Sequence, residues 1–270
     1  MQHRNRMNKS VVVCGLMKNA NHIFNNIMKN IYDIVDVFNN NYKIIIVESN
    51  STDGTKESLL NAKTKDERLI VINHDFDLSS QDFNNRELRI SICRNLYLKA
   101  LYQMENIYDY VIMIDLDEIF SEPFDTENLE KVINFENWDV LFANQTDRYY
   151  DIWALKGALG VDYDCWKMIY ECDNTSTSFE SKKKKYINSK QIQIPRNHSP
   201  IRVKSAFGGL GIYKYQILMD TKILYEEKKS VCEHVGFHER LVMAGYNNLF
   251  IHPNLLIQSP DNEDYKNYFI

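Results

Sequence analysis

Four short apolar runs mark the first half of the chain, separated by polar turns and stretches of helical periodicity. Ser10-Val-Val-Val-Cys-Gly-Leu16, Tyr42-Lys-Ile-Ile-Ile-Val47, Arg68-Leu-Ile-Val-Ile72 and Tyr110-Val-Ile-Met-Ile114 read as buried β-strands. Between them, Ile23, Ile27, Ile31 and Ile34 fall at helical spacing from His22 to about Val37, and a second helix is expected from Thr55. Leu88, Ile92, Leu96 and Ala100 form an i, i+4 stripe on a third helix of about 18 residues. Strands alternating with helices predict a parallel, right-handed α/β sheet, in which ligands bind outside the carboxyl ends of the strands. In the second half, Leu249-Phe-Ile-His-Pro253 reads as a strand ending in a histidine.

The chemistry collects at such strand ends. Asp115-Leu116-Asp117 follows the fourth strand directly, and alternate residues of an extended chain point the same way, so both carboxylates can converge on one point. Mg²⁺ or Mn²⁺ would relieve their repulsion and could grip a pyrophosphate. A solvated acidic turn accounts equally well for an isolated pair; the three preceding strands favour the functional reading. Glu48 directly follows the second strand, where an acid can accept hydrogen bonds from a nucleobase or ribose. After it, Asp53-Gly54 is a turn signal. Arg86 and Arg89 stand at the start of the third helix, and Arg94 lies further along, off the apolar stripe; each can meet phosphate or base, or simply form a solvated face.

The second half adds Phe207-Gly-Gly-Leu-Gly-Ile-Tyr213, with three of the chain's nine glycines, read either as a loop that a ligand approaches or as a bend in a strand. Cys232-Glu-His-Val-Gly-Phe-His-Glu-Arg240 offers Glu233 as a candidate general base. His252 could complete a metal site begun by the aspartates. Tyr149-Tyr-Asp-Ile-Trp153 and Asp162-Tyr-Asp-Cys-Trp166 cluster aromatics with acids, as sugar sites and aromatic cores both do. Ser181-Lys-Lys-Lys-Lys185 is most simply a solvated loop, or else a segment that attracts a phosphorylated acceptor or an anionic membrane surface.

Composition narrows the classes. The 270 residues are 44% hydrophobic and suffice for one large core, and the net charge of −5 gives no basic footprint for nucleic acid. No run approaches the roughly 18 apolar residues of a membrane span, and the start carries no apolar signal segment. Five scattered cysteines without a CxxC pair fit a reducing compartment, so the expectation is a cytoplasmic chain, at most peripheral to a membrane. One domain is expected, with halves at about 8–120 and about 121–258 and a tail at 259–270.

Together these residues resemble the GT-A glycosyltransferases, nucleotide-sugar-dependent enzymes with a Rossmann-like, mostly parallel sheet and a C-terminal acceptor-binding half. Val47-Glu48-Ser-Asn-Ser-Thr-Asp-Gly-Thr55 is similar to the family's first nucleotide-binding turn, with Glu48 where Asp is usual. Arg94-Asn95 resembles the "RN" before the metal motif, and Asp115-Leu-Asp117 the DxD. Phe207-Gly208-Gly209, Cys232-Glu233-His234 and His252 resemble the glycine loop, the xED-type catalytic acid and the C-terminal metal histidine, with His234 departing from Asp. A looser likeness to fungal capsule-associated mannosyltransferases lies in the ESxSxDGT turn and the R…RN helix.

The resemblance implies a divalent metal, Mn²⁺ or Mg²⁺, held by Asp117, by Asp115 through water, and by His252. It implies a nucleoside-diphosphate sugar, UDP- or GDP-linked, bound by Glu48, Asp53, Arg86 and Arg94, and a glycan or other hydroxyl acceptor. Gly208 and Gly209 would let backbone approach donor or acceptor, and Glu233 would take the acceptor proton in an inverting reaction. A haloacid-dehalogenase-like phosphatase also carries DxD after a strand, but its motif continues to Thr or Val, unlike Asp115-Leu-Asp-Glu-Ile119. A sugar nucleotidyltransferase would need a glycine-rich loop where Gly15 stands alone. A non-catalytic carbohydrate-binding relative would bind sugar nucleotide without turnover.

Overall fold

A computed structural model describes residues 6–39, 41–81 and 83–259. The tail expected at 259–270 lies, Ser259 apart, outside the described residues. In the first half, β1 (Val11–Met17), β2 (Tyr42–Glu48), β3 (Leu69–Asn73) and β4 (Tyr110–Asp115) alternate with α1 (Phe24–Val37), α2 (Thr55–Lys65) and α3 (Arg86–Tyr102). Each expected strand is present to within one or two residues. Then follow α4 (Leu129–Ile133), β5 (Val140–Gln145), α5 (Cys165–Lys167), α6 (Phe179–Tyr186), β6 (Ile201–Val203), β7 (Leu210–Lys214), α7 (Tyr215–Thr221), α8 (Glu233–Met243) and β8 (Leu249–Ile257).

All eight strands join one sheet in the order β3-β2-β1-β4-β7-β5-β8-β6. Six run the same way, and only β6 and β7 are reversed, so the sheet is mostly parallel as expected. The apolar runs are continuous because both faces are covered. On one face Val12, Cys14, Val111 and Met113 pack with Tyr97 and Leu98 of α3 and Phe237 of α8. On the other, Val11, Val13, Ile112 and Ile114 pack with Ile27 and Ile31 of α1 and Val132 of α4.

Two expectations change. The strand read as ending at Pro253 continues to Ile257. Its register against β5 shifts between Phe142 and Asn144, beyond the part of β8 that β6 covers, and such an irregularity is where a strand tolerates a proline. The lysine run read as a loop lies in α6, where Ser178 accepts the Ser181 N–H as N-cap. Among the described residues no helix is long and apolar enough to cross a membrane.

Candidate active site

The chain passes from β1 to β2 and β3 on one side, then returns through α3 to β4 on the other side of β1. This reversal opens a crevice at the carboxyl ends of β1 and β4. The alternation of β4 sends Asp115 with Val111 and Met113 to the face that α3 covers. Leu116 turns back into the core. It is 1% exposed, and it fills the space above Gly15, where a Cβ would lie 2.4 Å from its Cδ1. With Leu116 buried, the flanking carboxylates of Asp115 and Asp117 both line the cleft, whose volume is about 600 Å³.

Arg94 ties the cleft's two ends together. Its guanidinium donates to Asp115 Oδ1 at 2.8 Å and to Glu233 Oε1 at 3.0 Å, with its carbon 4.9 Å from the centre of the Phe207 ring. Arg94, expected off the apolar stripe to meet a ligand or form a solvated face, lines the cleft but is only 3% exposed, because α8 and the 207 loop cover that side of α3. Its neighbour Asn95 secures the chain before α8, donating to the Tyr225 carbonyl at 3.0 Å and accepting the Tyr225 N–H at 2.7 Å. Glu233 opens α8 and faces the cleft. His234 stacks on Phe207 at 3.8 Å, and burial together with the Arg94 charge holds its pKa well below the usual value.

Asp117 accepts the Ile119 N–H at 3.3 Å as it opens a turn over Glu118–Phe120. Burial pushes its carboxyl up to about 7, and the charge of Asp115 adds to this; the Ile119 amide and the charge of Arg86 oppose it. A desolvated carboxylate beside another is the situation a hard divalent cation relieves. Mg²⁺ and Mn²⁺ are held in this way by one or two carboxylates together with phosphate oxygens and water, so Asp115 and Asp117 fit the group the fold implies.

The third ligand expected from the sequence is not brought there. His252 shares its strand parity with Phe250, packs edge-on to Phe135 at 5.7 Å, and lies outside the cleft lining. Its neighbours Leu249 and Ile251 take the face that Asp115 shares. Because β8 runs on to Ile257, His252 is inside the strand and not at its end. Among the described residues no three His, Cys, Asp or Glu side chains are grouped to hold a metal ion.

Parity also explains Glu48. It follows Ile44 and Ile46 toward the α1 face, while Val47 and Ser49 line the cleft. Glu48 is 0% exposed; its Oε1 accepts the Ser51 N–H at 2.8 Å, and its Oε2 has no hydrogen-bond partner among the described residues. Asp53 accepts from the Thr55 hydroxyl at 2.6 Å and the Asn21 N–H at 2.9 Å, pinning its turn to the loop after β1. Arg86 lines the cleft at the start of α3. Gly208 and Gly209, with φ of +64° and +89°, face protein: a Cβ would come 2.6 Å from Gln145 Nε2 at the first and 2.3 Å from Ile119 Cδ1 at the second.

The cleft also holds Lys18, which the sequence had not singled out, and Lys183, from the lysine run read as a loop or an anion-attracting segment; with Arg86 they are cations without an ion pair among the described residues. Asp151 and Trp153 line it from the aromatic–acidic segment after β5, the signal by which the sequence had pointed there without choosing a residue.

No curated protein matches the sequence. Among solved structures, a mannosyltransferase from Pyrobaculum calidifontis in complex with GDP-Man and Mn²⁺ superposes over 94% of this chain and 58% of its own, with 14% identity and a TM-score of 0.53. TarS from S. aureus superposes over 96% of this chain and 38% of its own, with 15% identity and a TM-score of 0.52. At these identities the likeness is one of fold, and the chain spans less than two thirds of either structure. The family model described as Cryptococcal mannosyltransferase 1 matches residues 10–242. With a doubly wound sheet, Asp115 and Asp117 at its switch point and that match over most of its length, the chain belongs to the cryptococcal mannosyltransferase 1 family, glycosyltransferases of GT-A type.

Proposed function

We propose that this protein is a metal-assisted hexosyltransferase, moving a hexose from a nucleoside-diphosphate sugar to a hydroxyl of a glycan or similar acceptor. The observation that carries this reading is the pair Asp115 and Asp117 beside the switch point, opening on a cleft that also carries Lys18, Arg86 and Lys183, cations without an ion pair among the described residues. Acids that hold a metal and cations that hold phosphate are what a sugar nucleotide's diphosphate requires. When bound, the metal neutralises charge on the departing diphosphate. Lys18, Arg86 and Lys183 attract and orient that group, while Arg94 fixes Asp115 and Glu233 relative to each other. For transfer with inversion, Glu233 is the acid at the acceptor end. The family description and the GDP-Man of the Pyrobaculum structure make GDP-mannose the first donor to test, and UDP-GlcNAc, bound in another TarS structure, its competitor.

The test is a thermal shift with and without Mn²⁺. GDP-mannose at a hundredfold excess over Kd should raise the melting temperature by about 5 °C or more, and only with metal. Asp117→Asn should abolish that shift while melting near the wild-type temperature without ligand. A shift that survives EDTA would remove the metal from the reading, and a shift with UDP-sugars alone would reassign the nucleotide.

A further inference from the structure

Among the described residues, Asp151 is held in the cleft by hydrogen bonds from backbone groups alone. Its Oδ2 accepts the Gly208 N–H at 2.9 Å and its Oδ1 the Ala154 N–H at 3.2 Å. The glycine loop is built to present that amide: Gly208 has φ of +64°, its Cα faces Gln145 and the Ala143 carbonyl, and Gln145 Nε2 donates to the Gly208 carbonyl at 2.8 Å. No cation is paired with Asp151 among the described residues. The ionisable groups felt around it are Asp115 on β4, Glu233 on α8, and the Cys165, Cys232 and Tyr149 side chains. Burial pushes the carboxyl up to about 6, with Asp115 and Glu233 adding to this and the two amides opposing it.

A carboxylate has about four acceptor positions, and the two amides leave two. Trp153, two residues on, lines the same cleft and brings an aromatic side chain to it. Aromatic faces with a bidentate acid are the chemistry that recognises a sugar's apolar face and neighbouring hydroxyls. The position along the cleft follows from the loop. Gly208 binds Asp151, and the next residue, Gly209, accepts the Asp115 N–H at 2.9 Å, so one dipeptide separates this acid from the metal motif.

We infer that Asp151 grips the hexose of the donor, accepting hydrogen bonds from two of its ring hydroxyls, and so selects the sugar. The inference rests on the transferase reading above. It makes the glycine loop a clamp for a sugar-binding acid, in place of a surface that a ligand approaches.

Calorimetry with Mn²⁺ separates the two claims. Wild-type protein is titrated with GDP and with GDP-mannose, and with UDP and UDP-GlcNAc. The base that binds should bind tighter as its sugar nucleotide than as the bare nucleotide. Asp151→Asn should cut that sugar-dependent gain by about tenfold or more while leaving bare-nucleotide affinity within about threefold. Singly deoxygenated forms of the same sugar nucleotide give an arm that needs no variant: at least one should lose the gain on wild-type protein. The inference is overturned if Asp151→Asn keeps the gain, if it loses bare nucleotide equally, or if no deoxygenated donor binds more weakly to wild type. If wild type binds neither bare nucleotide nor sugar nucleotide, the transferase reading itself falls.

Discussion

Arg94 reaches two acids from one buried guanidinium, Asp115 at the end of β4 and Glu233 from α8, and also lies 3.3 Å from the Tyr97 hydroxyl. Arginine suits this position because its fork donates in several directions at once and stays charged when buried. Arg94→Met would leave Glu233, whose side chain is 11% exposed, without its counter-charge. The expected loss in urea unfolding is about 3–5 kcal/mol, and Arg94→Lys should recover little of it, since one ammonium cannot span both acids. A loss below about 1 kcal/mol would show that the pairing holds nothing together. The same scale shows what could be read in advance. Asp115 and Asp117 were legible because strand alternation and the buried Leu116 between them fix where they point. Glu48 and His252 were misplaced for a matching reason. Each is adjacent to a strand residue of the cleft-side face, and a shift of one residue exchanges the faces of a sheet.

At the scale of elements, the first half was legible almost to the residue because each of its parallel strands is a continuous apolar run bounded by polar turns. The second half was not. β7 enters between β4 and β5 and runs against both, a pairing between distant segments that no local pattern announces. The lysines of α6 carry no apolar stripe, so periodicity could not reveal the helix that brings Lys183 to the cleft. The glycine loop was visible as composition, while its purpose depended on what lies around it. Gly208→Ala places a methyl 2.9 Å from the Ala143 carbonyl in a backbone conformation that disfavours side chains. Gly245 has φ of +100° with nothing within 4 Å of its missing Cβ. Gly245→Ala should therefore lose only the conformational term of about 1 kcal/mol, whereas Gly208→Ala should lose about 1–3 kcal/mol more from overpacking. Equal losses in a paired denaturation experiment would show that the loop is not packed as described.

On the scale of the whole molecule, the fold encloses histidines that it keeps neutral. His238 lies with a hydroxyl at each ring nitrogen, Ser205 and Tyr213, both at 2.9 Å. Burial, aided by the charge of Arg94, brings its pKa down to about 3. The unfolded chain binds a proton there near pH 6.5, the folded chain only near 3, so the unfolded state gains protons first on acidification. Stability from this group is complete above about pH 6.5 and is lost as pH falls toward 3, by about 2 kcal/mol at pH 5. His234 and His252 act in the same direction, and the raised carboxyls of Asp117 and Asp151 act against it in metal-free protein. A single pH curve therefore mixes opposing contributions, and a difference between two proteins isolates one of them. Glutamine can meet both hydroxyls without titrating, so His238→Gln should retain the fold while removing this dependence. The gap in unfolding free energy between wild type and His238→Gln should shift by about 2 kcal/mol in favour of the variant between pH 8 and pH 5. Parallel curves over that range would mean that His238 takes up its proton without unfolding, and that α8 does not seal it from water.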